Sequence, residues 1–233
     1  MSERVQQDYS PAVRRATTVA LPVPIKSIMK RDWHGHEHIP RSGGVIVAAN
    51  HLSYADWAAM ALFIHEAGRY PAFLIKSSAF NVKGIGPFLR AAGQFPVNRG
   101  AADAALVLND AERGLAHGEC LIFYPEGTAT RDPELWPMVA KTGVARIALE
   151  AGVPVLPMVS WGSHMVWQKG GQKGLKFGRP IWVKLGSPMD FSDAVPRRDD
   201  PETVRAVTDE VMAELSRLVA DLRSRYPKRW SSG

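Results

Sequence analysis

His51 and Asp56 stand five residues apart in Asn50-His51-Leu52-Ser53-Tyr54-Ala55-Asp56. An imidazole and a carboxylate are the residue types from which a general base and its orienting group are made. On one continuous helix a step of five residues turns through about 500°, which puts the two side chains on different faces. They meet only if the chain turns between them. Ser53-x-x-Asp56 has the form of a capping box, so the expectation is a turn at Ser53, His51 within it and Asp56 in the first coil of a helix. The carboxylate then reaches Nδ1 of His51 and leaves the other ring nitrogen free. A second reading fits the same heptapeptide: Asp56 only caps the helix and His51 is a hydrogen-bonded turn residue. Because one carboxylate oxygen is not expected to serve both tasks, the first reading has backbone geometry cap the helix.

Other polar groups fall at the ends of apolar runs: Lys76, Arg99 and Glu126-Gly127-Thr128, with Arg131 and Lys141 downstream. Lysine and arginine suit a phosphate, arginine through paired hydrogen bonds. Gly127 would let a backbone amide approach an anion, and the Thr128 hydroxyl could donate to it. Glu126 would hold the cations or accept from a substrate hydroxyl. Taken singly, each also reads as a surface ion pair of little energetic worth. His34, His36 and His38 alternate, and on a strand they would share one face. No cysteine or further ligand run supports a metal there, so a solvated strand face is expected. Cys120 precedes an apolar run and reads as a small buried hydrophobe.

The elements that must position these groups follow from periodicity. Val45–Ala49 is a short, continuously apolar run, the mark of a buried strand, and Trp57, Met60, Ala61 and Ile64 recur after it at helical spacing to about Ala67. Residues 72–76 and 93–100 read as strands ending in Lys76 and Arg99, with a short helix over 84–92 between them. Residues 101–117 form a helix with Ala105, Leu108, Ala111 and Leu115 on one stripe, and 121–125 a strand running into Glu126. A helix over 141–151 stops at Gly152. The strand over 153–159 carries Pro154 and Pro157, which argue for an edge or a bulge. Arg179–Leu185 gives a last strand and Pro201–Arg225 a long helix, capped by Asp200 with proline at its first position. Strands alternating with helices imply an α/β fold: a single layered domain with a mixed, mainly parallel sheet flanked by helices. If the strands are parallel, His51, Lys76, Arg99 and Glu126 gather on one edge, where open α/β sheets bind ligands.

The chain has 233 residues, a net charge of +6 and a pI near 9.6, which favours anionic partners. A single cysteine excludes a disulfide framework within the chain. No aromatic-plus-basic strand pattern or DNA-binding motif marks a nucleic-acid partner. Met1-Ser2-Glu3-Arg4 opens no signal peptide, and the apolar runs fall far short of the about 20 residues a membrane span needs. A cytoplasmic protein, peripheral to a membrane at most, is therefore expected. Residues 1–30 mix Arg14, Arg15, Lys26 and Lys30 with apolar side chains and are broken by Pro22 and Pro24. They read either as a short amphipathic segment at a bilayer interface or as an arm packed on the domain. Arg223, Arg225, Lys228, Arg229 and Trp230 would add a basic tail to the interfacial reading.

Asn50-His51-x-Ser53-x-x-Asp56, Gly93-x-Phe95-x-Val97-x-Arg99, Phe123-x-Pro125-Glu126-Gly127-Thr128 and Val153-Pro154-Val155-Leu156-Pro157 resemble the four ordered motifs of the glycerolipid acyltransferases, in particular the bacterial 1-acylglycerol-3-phosphate acyltransferases. The resemblance covers about residues 31–190 and implies an acyltransferase domain over 31–233. It implies fatty acyl transfer from an acyl thioester, acyl-CoA or acyl carrier protein, to the free hydroxyl of the lysophospholipid 1-acyl-glycerol-3-phosphate, giving phosphatidic acid, at the inner face of the cell membrane and with no bound cofactor or metal. His51 would be the base oriented by Asp56; Arg99, Glu126, Gly127, Thr128 and Arg131, with Lys76 and Lys141, would hold the acceptor phosphate. Two positions depart from the pattern. Ala129 stands where the family often has arginine, and Tyr124 stands between the aromatic residue and Pro125. Both put the acceptor's identity in question, and a glycolipid or another lysophospholipid is the alternative acceptor. A non-catalytic module binding a membrane or nucleic acid is the remaining alternative.

Overall fold

Val45–Ala49 has no exposed residue and forms β2, the middle strand of a seven-stranded sheet. The computed structural model describes residues 9–20, 26, 29–97, 104–167, 176 and 178–228. The other strands are β1 (Met29–His34), β3 (Pro71–Lys76), β4 (Phe95–Val97), β5 (Cys120–Phe123), β6 (Val155–Trp161) and β7 (Arg179–Leu185). Their spatial order is β1-β7-β6-β2-β5-β3-β4. Every neighbouring pair is parallel except β6 with β7, so the sheet is mixed and mainly parallel as the alternation of elements implied. The helices are α1 (Pro11–Ala20), α2 (Asp56–Glu66), α3 (Ile85–Ala91), α4 (Ala104–Ala116), α5 (Gly143–Ala151), α6 (Ser163–Val166) and α7 (Pro201–Arg225). Asp200 accepts a hydrogen bond from the Thr203 amide and caps α7, and Gly152, at φ 60°, ends α5 in the left-handed conformation that glycine tolerates.

Side-chain alternation splits the core into two layers. Val45, Val47 and Ala49 of β2 pack with Ile122 and Met158 under Ala59, Met60, Phe63 and Ile64 of α2. Ile46 and Ala48 face the other way, toward Leu121, Val155 and the apolar faces of α5 and α7. A strand covered on both sides has no solvated face, which is why β2 is apolar throughout.

The structure bears on three expectations. The strand that holds His34 ends there: Gly35, at φ 95°, turns the chain into a 3₁₀ turn over His36–His38. A side chain at Gly35 would also collide with the Leu185 carbonyl. The imidazoles thus part company, His34 pairing with Asp32, His36 stacking on Phe63 and His38 lying against the Leu185 carbonyl. Among the described residues no group of three or more His, Cys, Asp or Glu is placed to hold a metal ion. Second, β6 is an inner strand and not an edge. Pro154 lies just before the strand, and Pro157 is accommodated by the irregularity named as the other option: Val155 to Met158 face Leu185 to Met189, so the β7 side carries one extra residue. Third, α1 packs on the protein, by the end of the sheet where β3, β4 and β5 begin. Its Arg14 pairs with Glu119 at 2.8 Å, lies over the Tyr70 ring and touches Gly93, residues that immediately or closely precede those strands. Arg99, most of residues 21–28, Arg229 and Trp230 lie outside the described residues. No helix of the described residues is long and apolar enough to cross a membrane.

Candidate active site

Because β2, β3, β4 and β5 are mutually parallel, their carboxyl ends share one edge. The chain leaves β2 through Asn50 and His51, turns at Ser53 and starts α2 at Asp56. The turn does what the five-residue spacing required. His51 Nδ1 lies 2.9 Å from Asp56 Oδ2, and the Asp56 side chain is fully buried.

Asp56 is bound more completely than the sequence suggested. Oδ2 accepts from the Leu52 amide at 2.7 Å and the Ser53 amide at 2.8 Å as well as meeting the imidazole, and Oδ1 accepts from the Ser160 hydroxyl at 2.9 Å. The expectation that one oxygen could not serve both ring and backbone is therefore wrong: the same oxygen does both. The amides it binds belong to the turn and not to the helix, so turn and imidazole lie on one side of the carboxylate. Only half of the capping box forms, because the Ser53 hydroxyl accepts from the Ala55 amide and not from that of Asp56. Four donors around a buried carboxylate offset its desolvation. They also fix its rotamer, so His51 is oriented by a rigid acceptor.

Ser160 was not visible in the local sequence. Parallel register pairs Ala49 with Met158, which carries β6 on to Ser160 beside the turn. Asn50 holds it there, donating from Nδ2 to the Ser160 carbonyl at 3.1 Å and accepting from the Ser160 amide at 2.8 Å. Ser160→Ala removes one donor from buried Asp56 and leaves the turn amides in place. The expected cost is about 1–3 kcal/mol, read as a lower denaturation midpoint, with a fall in kcat smaller than that of any change at Asp56.

The other face of the site comes from β5. Register pairs Ala48 with Phe123, so the residues just beyond both strands adjoin, and the Tyr124 ring stacks on the His51 ring at 4.3 Å and 25°. The departure from the family pattern at Tyr124 is thus in contact with the imidazole. Its hydroxyl points to Met60 Sδ at 3.6 Å, and burial together with the Asp56 charge holds its pKa well above the usual value. The backbone of His51 is clamped as well: its amide donates to Glu126 Oε1 at 3.4 Å and its carbonyl accepts from the Thr130 amide at 2.7 Å. Among the described residues Nε2 of His51 has no hydrogen-bond partner, and the side chain is 17% exposed.

Glu126 differs from its expected role. It is buried, and its carboxylate accepts from the His51 amide and, through Oε2, from the Met138 amide at 3.0 Å. It braces the loop after β5 against the turn after β2. Burial raises its pKa, and those two amides oppose the rise. Gly127 also differs: its amide donates to the Tyr124 carbonyl at 2.9 Å, closing a turn over Pro125, so that amide is already engaged. With φ 68° and open space where a Cβ would stand, glycine is required there by backbone conformation. Thr128 is half-buried beside it, and no hydrogen bond from the described residues engages it.

Lys76 ends β3, and the Lys141 amide donates to the Pro125 carbonyl at 3.1 Å, closing the base of the loop that carries Arg131. All three side chains are exposed at this edge. Ala129 is buried, so its position faces the protein. Cys120 lies in the core, where burial pushes its thiol up to about 12, a state unsuited to a nucleophile.

Residues 30–161 match the family model described as Acyltransferase. Of the curated relatives, a 1-acyl-sn-glycerol-3-phosphate acyltransferase of Limnanthes douglasii is 38% identical over 34% of this chain and 27% of its own length. The chloroplastic enzyme BAT2 of Brassica napus, of the same name, is 28% identical over 74% of this chain and 48% of its own. The Streptococcus pneumoniae enzyme of that name is 25% identical over 80% and 65%. The chain thus spans less than two thirds of the length of these relatives. The crystal structure of the 1-acyl-sn-glycerophosphate (LPA) acyltransferase PlsC of Thermotoga maritima shares the fold, with a TM-score of 0.70 at 24% identity over 92% of this chain and 83% of that one.

Proposed function

We propose that this chain, which belongs to the acyltransferase family, transfers a fatty acyl group from an acyl thioester to the free hydroxyl of 1-acyl-glycerol-3-phosphate, giving phosphatidic acid. The observation that carries this reading is His51 held through Nδ1 by a buried, four-times hydrogen-bonded Asp56, with Nε2 left open at the ligand-binding edge of the sheet. The names of the relatives supply the acceptor.

In this reading neutral His51 takes the hydroxyl proton on Nε2 as the oxygen attacks the thioester carbonyl. Asp56 stabilises the imidazolium that forms. The carbon–sulfur bond then breaks, and the departing thiolate recovers the proton from the imidazolium. A thiolate of coenzyme A or of acyl carrier protein leaves readily, so no acyl-enzyme is needed. Thr128 is assigned as a donor to the acceptor phosphate, with Arg99 and Arg131, and with Lys76 and Lys141 adding positive charge around the mouth. Positioning of this kind contributes up to roughly 7–11 kcal/mol in ideal cases. Glu126 acts by bracing the loop. The reaction is placed at a membrane surface, because the acyl chains of both substrates partition into bilayers.

Arg99→Ala is expected to raise the acceptor's KM by roughly 10–100-fold, the worth of a charged hydrogen bond, and to leave thioester binding unchanged in equilibrium titration. The acceptor itself is tested by thiol release with lysophosphatidic acid, a lysophospholipid without a phosphomonoester and a glycolipid compared side by side. Ala129 supplies no cation at the position where arginine is usual, which favours the second reading, an acceptor without a free phosphate. A preference for either of the latter two acceptors establishes it.

A further inference from the structure

Nine large apolar side chains are well exposed among the described residues, and they are unevenly placed. Tyr9 and Val19 belong to the N-terminal segment. The other seven lie in the segments that follow the carboxyl ends of β2, β3, β5 and β6: Tyr54 and Trp57 after β2, Val82, Ile85 and Phe88 after β3, Val139 after β5 and Trp167 after β6. Residues of β7, α5 and α7 contribute none. The apolar exposure is thus concentrated on the edge that carries His51.

Topology ties two of these groups together. The steps β2 to β3 and β3 to β4 move in the same direction along the sheet. Right-handed crossovers therefore place α2 and α3 on the same face. Tyr54 and Trp57 at the start of α2, and Val82 and Ile85 at the start of α3, accordingly lie on one face at one edge. Trp167 extends the group by packing edge-on against Tyr54 at 6.0 Å. The segment over 77–94 contains Lys83 and Arg90 and no acidic residue, and it follows Lys76 directly. Gly86 lets α3 settle on the Phe80 carbonyl, where any Cβ would collide. The apolar tip at Val82, Ile85 and Phe88 is thus held out on a rigid turn, with Phe80 buried beneath it.

We infer that this rim is the surface by which the chain docks on an anionic lipid bilayer. Val82, Ile85 and Phe88 enter the interface, Trp57, Tyr54 and Trp167 sit at headgroup depth, and Lys83 and Arg90 meet the phosphates. The opening of the site then faces the lipid from which an acyl-bearing substrate comes, and in that respect the inference rests on the acyl-transfer reading. The N-terminal helix is not needed for it: Arg14 fastens α1 by the opposite edge of the sheet.

The test compares the full chain with a Val82→Ser/Ile85→Ser/Phe88→Ser variant and with Val19→Glu in α1. Co-sedimentation uses vesicles of phosphatidylcholine alone and of phosphatidylcholine with one third phosphatidylglycerol. The triple variant is expected to lose roughly tenfold or more of its partition onto the anionic vesicles, Val19→Glu less than twofold, and the wild type most of its partition on the neutral ones. All three proteins should melt alike and turn over a short-chain, monomeric acyl thioester and acceptor equally. Undiminished partition of the triple variant, or loss confined to Val19→Glu, overturns the inference. So does a wild type that ignores vesicles but self-associates through this rim, which would assign it to a second copy of the chain. Vesicle binding without turnover of the soluble substrates leaves the docking surface standing and removes the proposed reaction instead.

Discussion

His51→Ala is expected to lower kcat by about 10²–10⁴-fold, the contribution of a positioned general base, and to leave the binding of lysophosphatidic acid nearly unchanged. The reasoning is geometric. Nε2 has no partner among the described residues, while the other ring nitrogen, the ring face and the backbone are all engaged, by Asp56, Tyr124, Glu126 and Thr130. Truncation leaves the main-chain clamps intact, so the loop after β5 should keep its place and the groups proposed to bind the phosphate with it. Equilibrium binding of the acceptor and steady-state kcat, measured on the same preparation, check the two halves of this expectation. A variant that keeps near-full turnover removes His51 from the chemistry.

Asp56→Asn should be as damaging to the rate and damaging to the fold as well. An asparagine amide matches the shape of the carboxylate but carries one acceptor oxygen and one donor nitrogen. With nitrogen at the Oδ1 position the amide can donate to the Ser160 hydroxyl, which turns from donor to acceptor, and the loss is that of the negative charge beside the imidazole; with nitrogen at the Oδ2 position an NH₂ group faces two backbone amides and the imidazole. If nitrogen takes the Oδ2 position, His51 must turn Nδ1 into an acceptor and place its proton on Nε2, where a base cannot have it. The same change in a serine-protease triad lowers kcat by about 10⁴-fold, and a loss of up to about that size is expected here. Stability should fall by about 1–3 kcal/mol, the cost of a buried polar group left without its hydrogen-bond partner. Denaturant unfolding followed by tryptophan fluorescence reads the second effect independently of the first. Wild-type stability combined with a large rate loss would confine Asp56 to orienting the ring.

The heptapeptide and the elements around it were legible because they are local. A five-residue apolar run before a 3.6-residue period defines a strand and a helix, and a serine between them defines the turn. The parallel sheet followed from the same alternation, and with it the gathering of His51, Lys76 and Glu126 on one edge. What was not legible depends on register. Ser160 lies 104 residues from Asp56, and nothing in Val159-Ser160-Trp161 marks a hydroxyl that donates to a carboxylate. Tyr124 read as a departure from a pattern, yet it supplies the ring that stacks on His51. Glu126 looked like a partner for cations because charge is visible in a sequence, whereas its burial and the two amides that reach it are not. The histidines at 34, 36 and 38 looked like a strand face because glycine at 35 has no period of its own. Its positive φ and the nearby Leu185 carbonyl end the strand.

The loop after β5 shows how such long-range ties support the site. It is closed at its base by Lys141 and Pro125, held in its middle by Glu126 and Met138, and fastened to α7 where Arg223 lies over the Trp136 ring at 4.3 Å. Thr128 sits within this frame. If Thr128 binds the acceptor phosphate as proposed, the phosphate would meet a pre-set surface, and most of the ordering cost would fall on folding rather than on binding.

Stoichiometry in a single turnover is the most direct test of acyl transfer by this site. Purified chain is mixed with one equivalent of long-chain acyl thioester and an excess of lysophosphatidic acid, and free thiol and phosphatidic acid are quantified from the same quench. The account predicts one phosphatidic acid per thiol released, both lost in His51→Ala. Thiol released without phosphatidic acid, or product formed at an undiminished rate by His51→Ala, would contradict it.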